Sequence, residues 1–104
     1  MEVVAAHPDV RKFINTLEDP TSSKTVRLLE MLSEKGPHLG MPISRYLGDH
    51  LFELRVIGTR NIRVLYAPLS NRIFLLHAFA KKSQKLSKHD LALARDRLSH
   101  LRAI

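Results

Sequence analysis

Residues 51–80 constrain this chain more than any other stretch, because LFELRVIGTRNIRVLYAPLSNRIFLLHAFA reads as three β-strands in immediate succession. Phe52, Leu54 and Val56 alternate with Leu51, Glu53, Arg55 and Ile57, a period of two residues. Ile62, Val64 and Tyr66 alternate in the same way with Arg63, Leu65 and Ala67. The intervening Gly58-Thr59-Arg60-Asn61 reads as a hairpin turn, and a second turn follows Pro68 around Ser70-Asn71. Connections this short leave no room for a crossover, so the three strands form an antiparallel meander. In the third strand, Arg72 to Phe79, the run Ile73-Phe74-Leu75-Leu76 is apolar on both faces, as in a central strand covered from each side.

Alternation assigns the charged residues to faces. If Phe52, Leu54 and Val56 turn to a core, Glu53 and Arg55 share the opposite face. Arg63 joins them if Ile62, Val64 and Tyr66 enter the same core. Lys81 and Lys82 then stand at the open end of the third strand, where the cationic run Lys81-Lys82-Ser83-Gln84-Lys85-Leu86-Ser87-Lys88 begins. Two readings of this group stay open: a site for an anion, or a structural ion-pair network of Glu53 with Arg55 and Arg63 on a solvated face. His77 falls in the third strand with Ile73, Leu75 and Phe79 on its face, so it is expected to pack in the core. It is nevertheless the one imidazole near the basic end. His7, His38, His50, His89 and His100 are expected at the surface, at helix ends or in loops.

Charge points toward nucleic acid. Residues 1–50 hold 6 Lys/Arg against 7 Asp/Glu, whereas residues 51–104 hold 11 against 3. The excess of the +7 chain therefore lies in one half, as in an electrostatic footprint for a polyanion. At 104 residues the chain is expected to be a single domain able to fold without staples. It has no cysteine, which removes disulfides and thiolate metal sites, and no apolar run approaches a membrane span. A cytoplasmic protein is expected.

The remaining elements are helical. Glu2 to Ala6 reads as a short first strand, and His7-Pro8-Asp9 opens a helix with Val10, Phe13, Ile14 and Leu17 on one face. After Pro20, one of Thr21, Ser22 and Ser23 is expected to cap a second helix that stops at Gly36-Pro37. Residues 37–50, with two prolines and two glycines, read as a loop. Ser87 is expected to cap a last helix, amphipathic through Leu91, Ala94, Leu98 and Leu101. The fold class is α+β: two N-terminal helices packed on an antiparallel sheet of three to four strands, and a C-terminal helix.

Several chemistries have no motif to stand on. HExxH and other metal-ligand spacings, a Gly-rich phosphate loop and a GxSxG elbow are absent from the sequence, so no metal or cofactor is expected. Tyr66 and Tyr46 are candidates for stacking on bases, but aromatic residues are too few for a stacking platform.

LFELRV, IRVLY and FLLHAFAKKSQKLSKHDLALA together resemble the RelE/HigB superfamily of bacterial toxins, in particular its phage-derived HigB-like branch. There an E-L-R strand, an R-x-x-Y strand and a lysine-rich segment run in this order before a helix containing A-x-x-R. The likeness spans about Phe13 to Leu101. It implies a toxin of a type II toxin–antitoxin system: a metal-independent endoribonuclease that cuts mRNA on the ribosome and is neutralised by an antitoxin, often a helix-turn-helix protein. By the same resemblance Arg55 and Arg63 hold the scissile phosphate. Lys82, with Lys81 and Lys85 nearby, stabilises charge and is a candidate proton donor. Glu53 and His77 are alternative bases, while Arg60, Lys81, Lys85, Lys88 and Tyr66 contact RNA. Where several relatives carry a catalytic Tyr or His after the last strand, this chain has Lys85 and Lys88. Two other functions are compatible with the pattern: a non-catalytic RNA- or ribosome-binding module, and a RelE-fold toxin with another target such as gyrase.

Overall fold

A computed structural model describes residues 1–103. In chain order the elements are β1 (Glu2–Ala5), α1 (Pro8–Asn15), α2 (Thr21–Lys35), a 3-10 turn (Gly36–Leu39), β2 (Ser44–Gly48), β3 (Leu51–Val56), β4 (Ile62–Leu69), β5 (Arg72–Ala80) and α3 (Lys88–Arg102). The meander β3-β4-β5 is antiparallel throughout, and its tight Ser70-Asn71 turn places both residues at positive φ, +52° and +62°. That is the hairpin geometry whose twist matches the flanking strands, and asparagine tolerates it well.

The sheet is larger than its alternation predicts and is mixed. β1 lies parallel to β5, so the strand order is β1-β5-β4-β3-β2. Residues 37–50 are not all loop: Ser44–Gly48 pair antiparallel with β3, setting Ser44 against Leu54 and Arg45 against Glu53. The flanking Pro42 and Gly48 hid this short strand, as did a polar residue on its core side. Ser44 is buried because its hydroxyl pairs with the Tyr66 hydroxyl at 2.5 Å.

Helices cover both faces. Val10 of α1 and Leu28 and Leu32 of α2 pack with Leu17 on Leu54, Val56, Ile62, Val64, Tyr66, Ile73 and Leu75. Ala94 and Leu98 of α3 pack on Leu51, Leu65, Ala67 and Leu76 across the sheet. Ser87 caps α3 as its sequence predicts, accepting from Asp90 N at 3.0 Å. At α2 the cap lies one step earlier than expected. Thr21, Ser22 and Ser23 are within the helix, and Asp19 Oδ1 accepts from Ser23 N at 3.0 Å.

A bulge in β5 decides which side His77 faces. Leu65 pairs with His77 and Tyr66 with Leu75, leaving Leu76 without a partner in register. The extra residue reverses the alternation beyond it. Ile73 and Leu75 thus belong to the α1–α2 side, whereas His77 stands with Phe79 on the α3 side, their rings 4.9 Å apart. Alternation without the bulge had put all four on one face. The carbonyl of Leu76 accepts from Arg97 Nη1 at 2.9 Å, which ties the bulge to α3.

Arg97 also reaches Asp9 at the start of α1, with Nη1 2.8 Å from Oδ1, and so links the layers on opposite faces. The bond from Arg97 holds the Asp9 carboxyl below the ordinary 3.8, against a smaller opposing effect of burial. A depressed carboxyl stabilises the fold above its unfolded value, and that contribution is lost as pH falls through its native value. Asp9 is about half exposed, so Asp9→Asn is expected to cost less than about 1 kcal/mol near neutral pH. Urea denaturation should show the difference at neutral pH and show it vanish in acid below the ordinary aspartate range.

Candidate nucleic-acid interface

The α3 side of the sheet is apolar near α3 and charged toward β2. Arg45, Glu53, Leu65 and His77 form one cross-strand row; Arg55, Arg63 and Phe79 form the next. Glu53 is 1% exposed and sits among three guanidiniums: Arg45 Nε at 3.6 Å, Arg55 Nε at 3.8 Å and Arg63 Nε at 3.4 Å. Cross-strand pairing alone sets Arg55 against Arg63, an arrangement of like charges that costs energy on a bare sheet. The carboxylate beneath offsets it, and the cations in turn make a buried carboxylate tolerable.

The contacts are ionic rather than tightly hydrogen bonded. Glu53 Oε2 and Arg63 Nε have no hydrogen-bond partner, while Arg63 Nη1 donates to Ile62 O at 3.1 Å. Burial pulls the Arg63 guanidinium below its ordinary value, with Glu53 opposing and Arg55 and Arg45 adding to the shift. An arginine so shifted still carries its charge. Three guanidiniums over one carboxylate leave the cluster with an excess of two positive charges.

Above this cluster opens a cleft of about 410 Å³, lined by Arg55, Asn61, Arg63, Lys81, Lys82, Ser83 and Gln84. Lys81 N donates to Asn61 O at 2.8 Å, which carries the β4–β5 ladder one step past the strand and fixes Lys81 beside Arg63. Burial, and then the Arg63 charge, lower the Lys81 ammonium below its ordinary 10.5. Lys82 is exposed at the rim. The chemistry of such a lining suits an oxyanion: planar guanidiniums match paired phosphate oxygens, and ammoniums supply adaptable charge.

Not every predicted residue meets here. Arg55, Arg63, Lys81 and Lys82 line the cleft, with Glu53 as its buried floor. Lys85 and Lys88 are exposed on the 81–88 segment outside the lining, and Arg60 lies on the far side of the β3–β4 hairpin. Tyr66 is 0% exposed on the α1–α2 side with its hydroxyl on Ser44, so its ring is closed to bases. It leaves the RNA-contacting set. Tyr46 is exposed on β2, but its ring packs 4.9 Å from that of Phe52 on the same side.

His77 is also outside the cleft lining. Its Nε2 lies 2.7 Å from Asp90 Oδ1, and Ser87 Oγ donates to Asp90 Oδ2 at 2.5 Å. Burial works against the Asp90 charge, but the bonds from Ser87 and His77 prevail and hold its carboxyl below 3.8. This clasp joins β5 to the first turn of α3 and so pins both ends of the lysine-bearing segment. Sequence reading missed Arg45, hidden in the supposed loop, and Asp90, which reads only as part of a helix cap. The pattern Arg45-x-Leu47 before Gly48 was too short to signal a strand. Among the described residues no group of three or more His, Cys, Asp or Glu could hold a metal ion.

A mixed five-stranded sheet with helices on both faces and a cationic cleft at one end defines the chain's class by fold. It is similar to the YoeB toxin in a heterotetrameric YoeB-YefM toxin–antitoxin complex from Staphylococcus aureus, with a TM-score of 0.56 and 17% identity over 80% of this chain and 97% of that one. Residues 12–99 match the family described as phage derived protein Gp49-like (DUF891). The chain belongs to this family, which is a family of RelE/HigB-like toxins. No curated protein matches it. Among the described residues no helix is long and apolar enough to cross a membrane.

If Glu53 is the counter-ion that holds the arginines, its charge matters more than its shape. Glu53→Gln is expected to destabilise the fold by about 2–3 kcal/mol, because it leaves the buried Arg63 guanidinium uncompensated beside Arg55. Arg45→Gln, at the exposed rim, should cost less than about 1 kcal/mol. Equilibrium urea denaturation of the two variants, side by side, measures the contrast.

Proposed function

We propose that this protein is the toxin of a type II toxin–antitoxin system and an endoribonuclease that cuts mRNA on the ribosome. The observation that carries the reading is the cleft itself: Arg55, Arg63, Lys81 and Lys82 line one space beside the buried carboxylate of Glu53. Family membership supports the toxin role, and the solved relative is a toxin crystallised with its antitoxin. A cognate antitoxin, mRNA and the ribosome are the partners proposed.

The residues suit cleavage by the RNA's own 2′-hydroxyl. Its oxygen attacks the adjacent phosphorus, the bond from phosphorus to the 5′ oxygen breaks, and a 2′,3′-cyclic phosphate and a 5′-hydroxyl result. Arg55 and Arg63 stabilise the charge gathering on the phosphorane oxygens. Lys81, seated in the cleft with its proton loosened by burial and by Arg63, is better placed than exposed Lys82 to protonate the departing 5′ oxygen. A general acid must be protonated to act, so activity should fall as pH rises through the Lys81 value, at a pH below that of an ordinary lysine. Lys81→Arg keeps the charge but has no proton to give, so it should lower the rate and remove this alkaline limb from the pH–rate profile.

Neither predicted base lines the cleft. Glu53 is enclosed by arginines, and His77 is held on Asp90. The proton of the 2′-hydroxyl therefore passes to water, without the roughly 10²–10⁴-fold a placed base contributes. Imposed orientation can offset several kcal/mol of such a deficit, and the ribosome is the agent proposed to impose it. Naked RNA should be cut far more slowly than mRNA in translating complexes, and products should end in cyclic phosphate. The missing base also favours a second reading, a non-catalytic RNA-binding module, which would bind and arrest translation without any cyclic-phosphate product.

Arg55 gives the cleaner mutational test. It is a quarter exposed, whereas Arg63 is nearly buried, so truncating Arg63 strands Glu53 and confounds site with fold. Arg55→Gln is expected to abolish growth arrest on induction with little change in melting temperature. Full toxicity in that folded variant would refute the assignment.

A further inference from the structure

The β3–β4 hairpin has a second cationic hollow on its other flank. This one, of about 210 Å³, lies between the start of α2 and the hairpin and is lined by Lys24, Arg27 and Arg60 together with Thr21, Ser23 and Thr59. Three cations from two separate elements meet there, and no carboxylate is among the lining residues. Asp19, just before the lining Pro20, accepts from Ser23 N and Oγ at the edge of the hollow, and its single charge leaves the three cations in excess. Lys24 Nζ donates to Ile57 O, and a Cβ built on Gly58 would stand 3.9 Å from the same ammonium, so helix and hairpin are locked side by side. None of these three cations has an ion-pair partner among the described residues.

The two cationic hollows adjoin. Arg55 and Asn61 line the first, and their chain neighbours Val56 and Arg60 line the second. Between them the hairpin tip, residues 57–61, is exposed, and it presents an apolar side chain, Ile57, 43% exposed. Phosphate sites on either side of an apolar ridge repeat the chemistry of a single strand of nucleic acid, in which charged backbone alternates with bases that seek apolar cover.

We propose that Lys24, Arg27 and Arg60 form a second phosphate-binding subsite for single-stranded RNA, engaging the strand after it crosses the hairpin tip from the Arg55–Arg63 cleft. The proposal rests on reading that cleft as an RNA site. It gives the substrate a direction across the protein, and a role to Arg60, which the cleft leaves out. It predicts that affinity depends on RNA length: a strand long enough to pass Ile57 gains contacts that a shorter one cannot reach. The subsite binds backbone, so the gain is independent of base sequence.

Fluorescence anisotropy tests it with labelled, uncleavable 2′-O-methyl oligoribonucleotides of about three and about twelve nucleotides, against the full chain over a range of salt. Lys24→Gln/Arg27→Gln/Arg60→Gln is expected to weaken binding of the longer strand about tenfold at low salt and to make its log–log salt slope shallower by about 2, the value for three single-strand phosphate contacts. Binding of the short strand should not change. Arg27→Gln/Arg60→Gln, which keeps the Lys24–Ile57 bond, should give a slope shallower by about 1.4 and guards against a folding defect. Equal weakening of both lengths would reduce the three cations to a general field and overturn the subsite. So would unchanged RNA binding together with lost neutralisation by an antitoxin, which would make this surface a protein interface. Wild-type protein that binds neither strand would overturn the subsite and the RNA reading of the cleft together, whereas wild-type binding left intact by the triple variant would overturn the subsite alone.

Discussion

The buried carboxylate of Glu53 is the interaction on which the functional end of this fold depends. A meander sets Arg55 directly against Arg63, and β2 brings Arg45 alongside, so the backbone register by itself concentrates positive charge. A single anion beneath lets that concentration persist in a folded protein. The excess charge then has one direction to act, outward into the cleft. A glutamate enclosed in this way is closed off from the cleft and organises cations. The choice posed by the sequence, between structural ion network and anion site, is therefore not exclusive: the network is the floor of the site.

The second constraint is the bulge at Leu76. It turns His77 away from Ile73 and Leu75 toward α3, where Asp90 takes it, and its carbonyl receives Arg97. Both α3 contacts follow from one extra residue in one strand. Because Arg97 also holds Asp9, the start of α1 and the body of α3 are tied across the sheet. The lysine-bearing segment 81–88 is fixed at its origin by the ladder bond of Lys81 to Asn61 and at its far end by the Ser87–Asp90–His77 clasp. Its middle holds Ser83 Oγ to Lys85 O and leaves Lys82 and Lys85 exposed.

Much of this was legible in the sequence where periodicity is clean. The alternation of Phe52, Leu54 and Val56 with Glu53 and Arg55 gave strand, face and neighbours correctly, and Ser87 announced α3. Legibility failed where one residue changes parity or where a polar side chain is buried. No pattern marks Leu76 as a bulge, since Ile73-Phe74-Leu75-Leu76 is apolar on both faces and either phase satisfies it. Ser44 looks like a loop residue until Tyr66 supplies its hydroxyl partner, and β2 goes unseen with it. Losing β2 hides Arg45, and losing the bulge misplaces His77. Tyr66 alternates onto the core face and yet offers a ring for stacking on bases; the partner that settles its hydroxyl inside, Ser44, lies 22 residues away in the chain.

The placement of acid–base groups separates two tasks that a self-sufficient nuclease performs in one site. Binding and charge stabilisation are built in, on rigid strands, by residues that hold one another in place. Proton removal is not, since the carboxylate and the imidazole are each committed to partners within the protein. On the proposed function, a site so divided is slow on a freely moving substrate, because it has no placed base and relies on orientation imposed from outside. On that proposed function, the full rate is reached only where another body holds the RNA, which confines damage to RNA in use. The same division fits a toxin that must be made without harm to its producer until released.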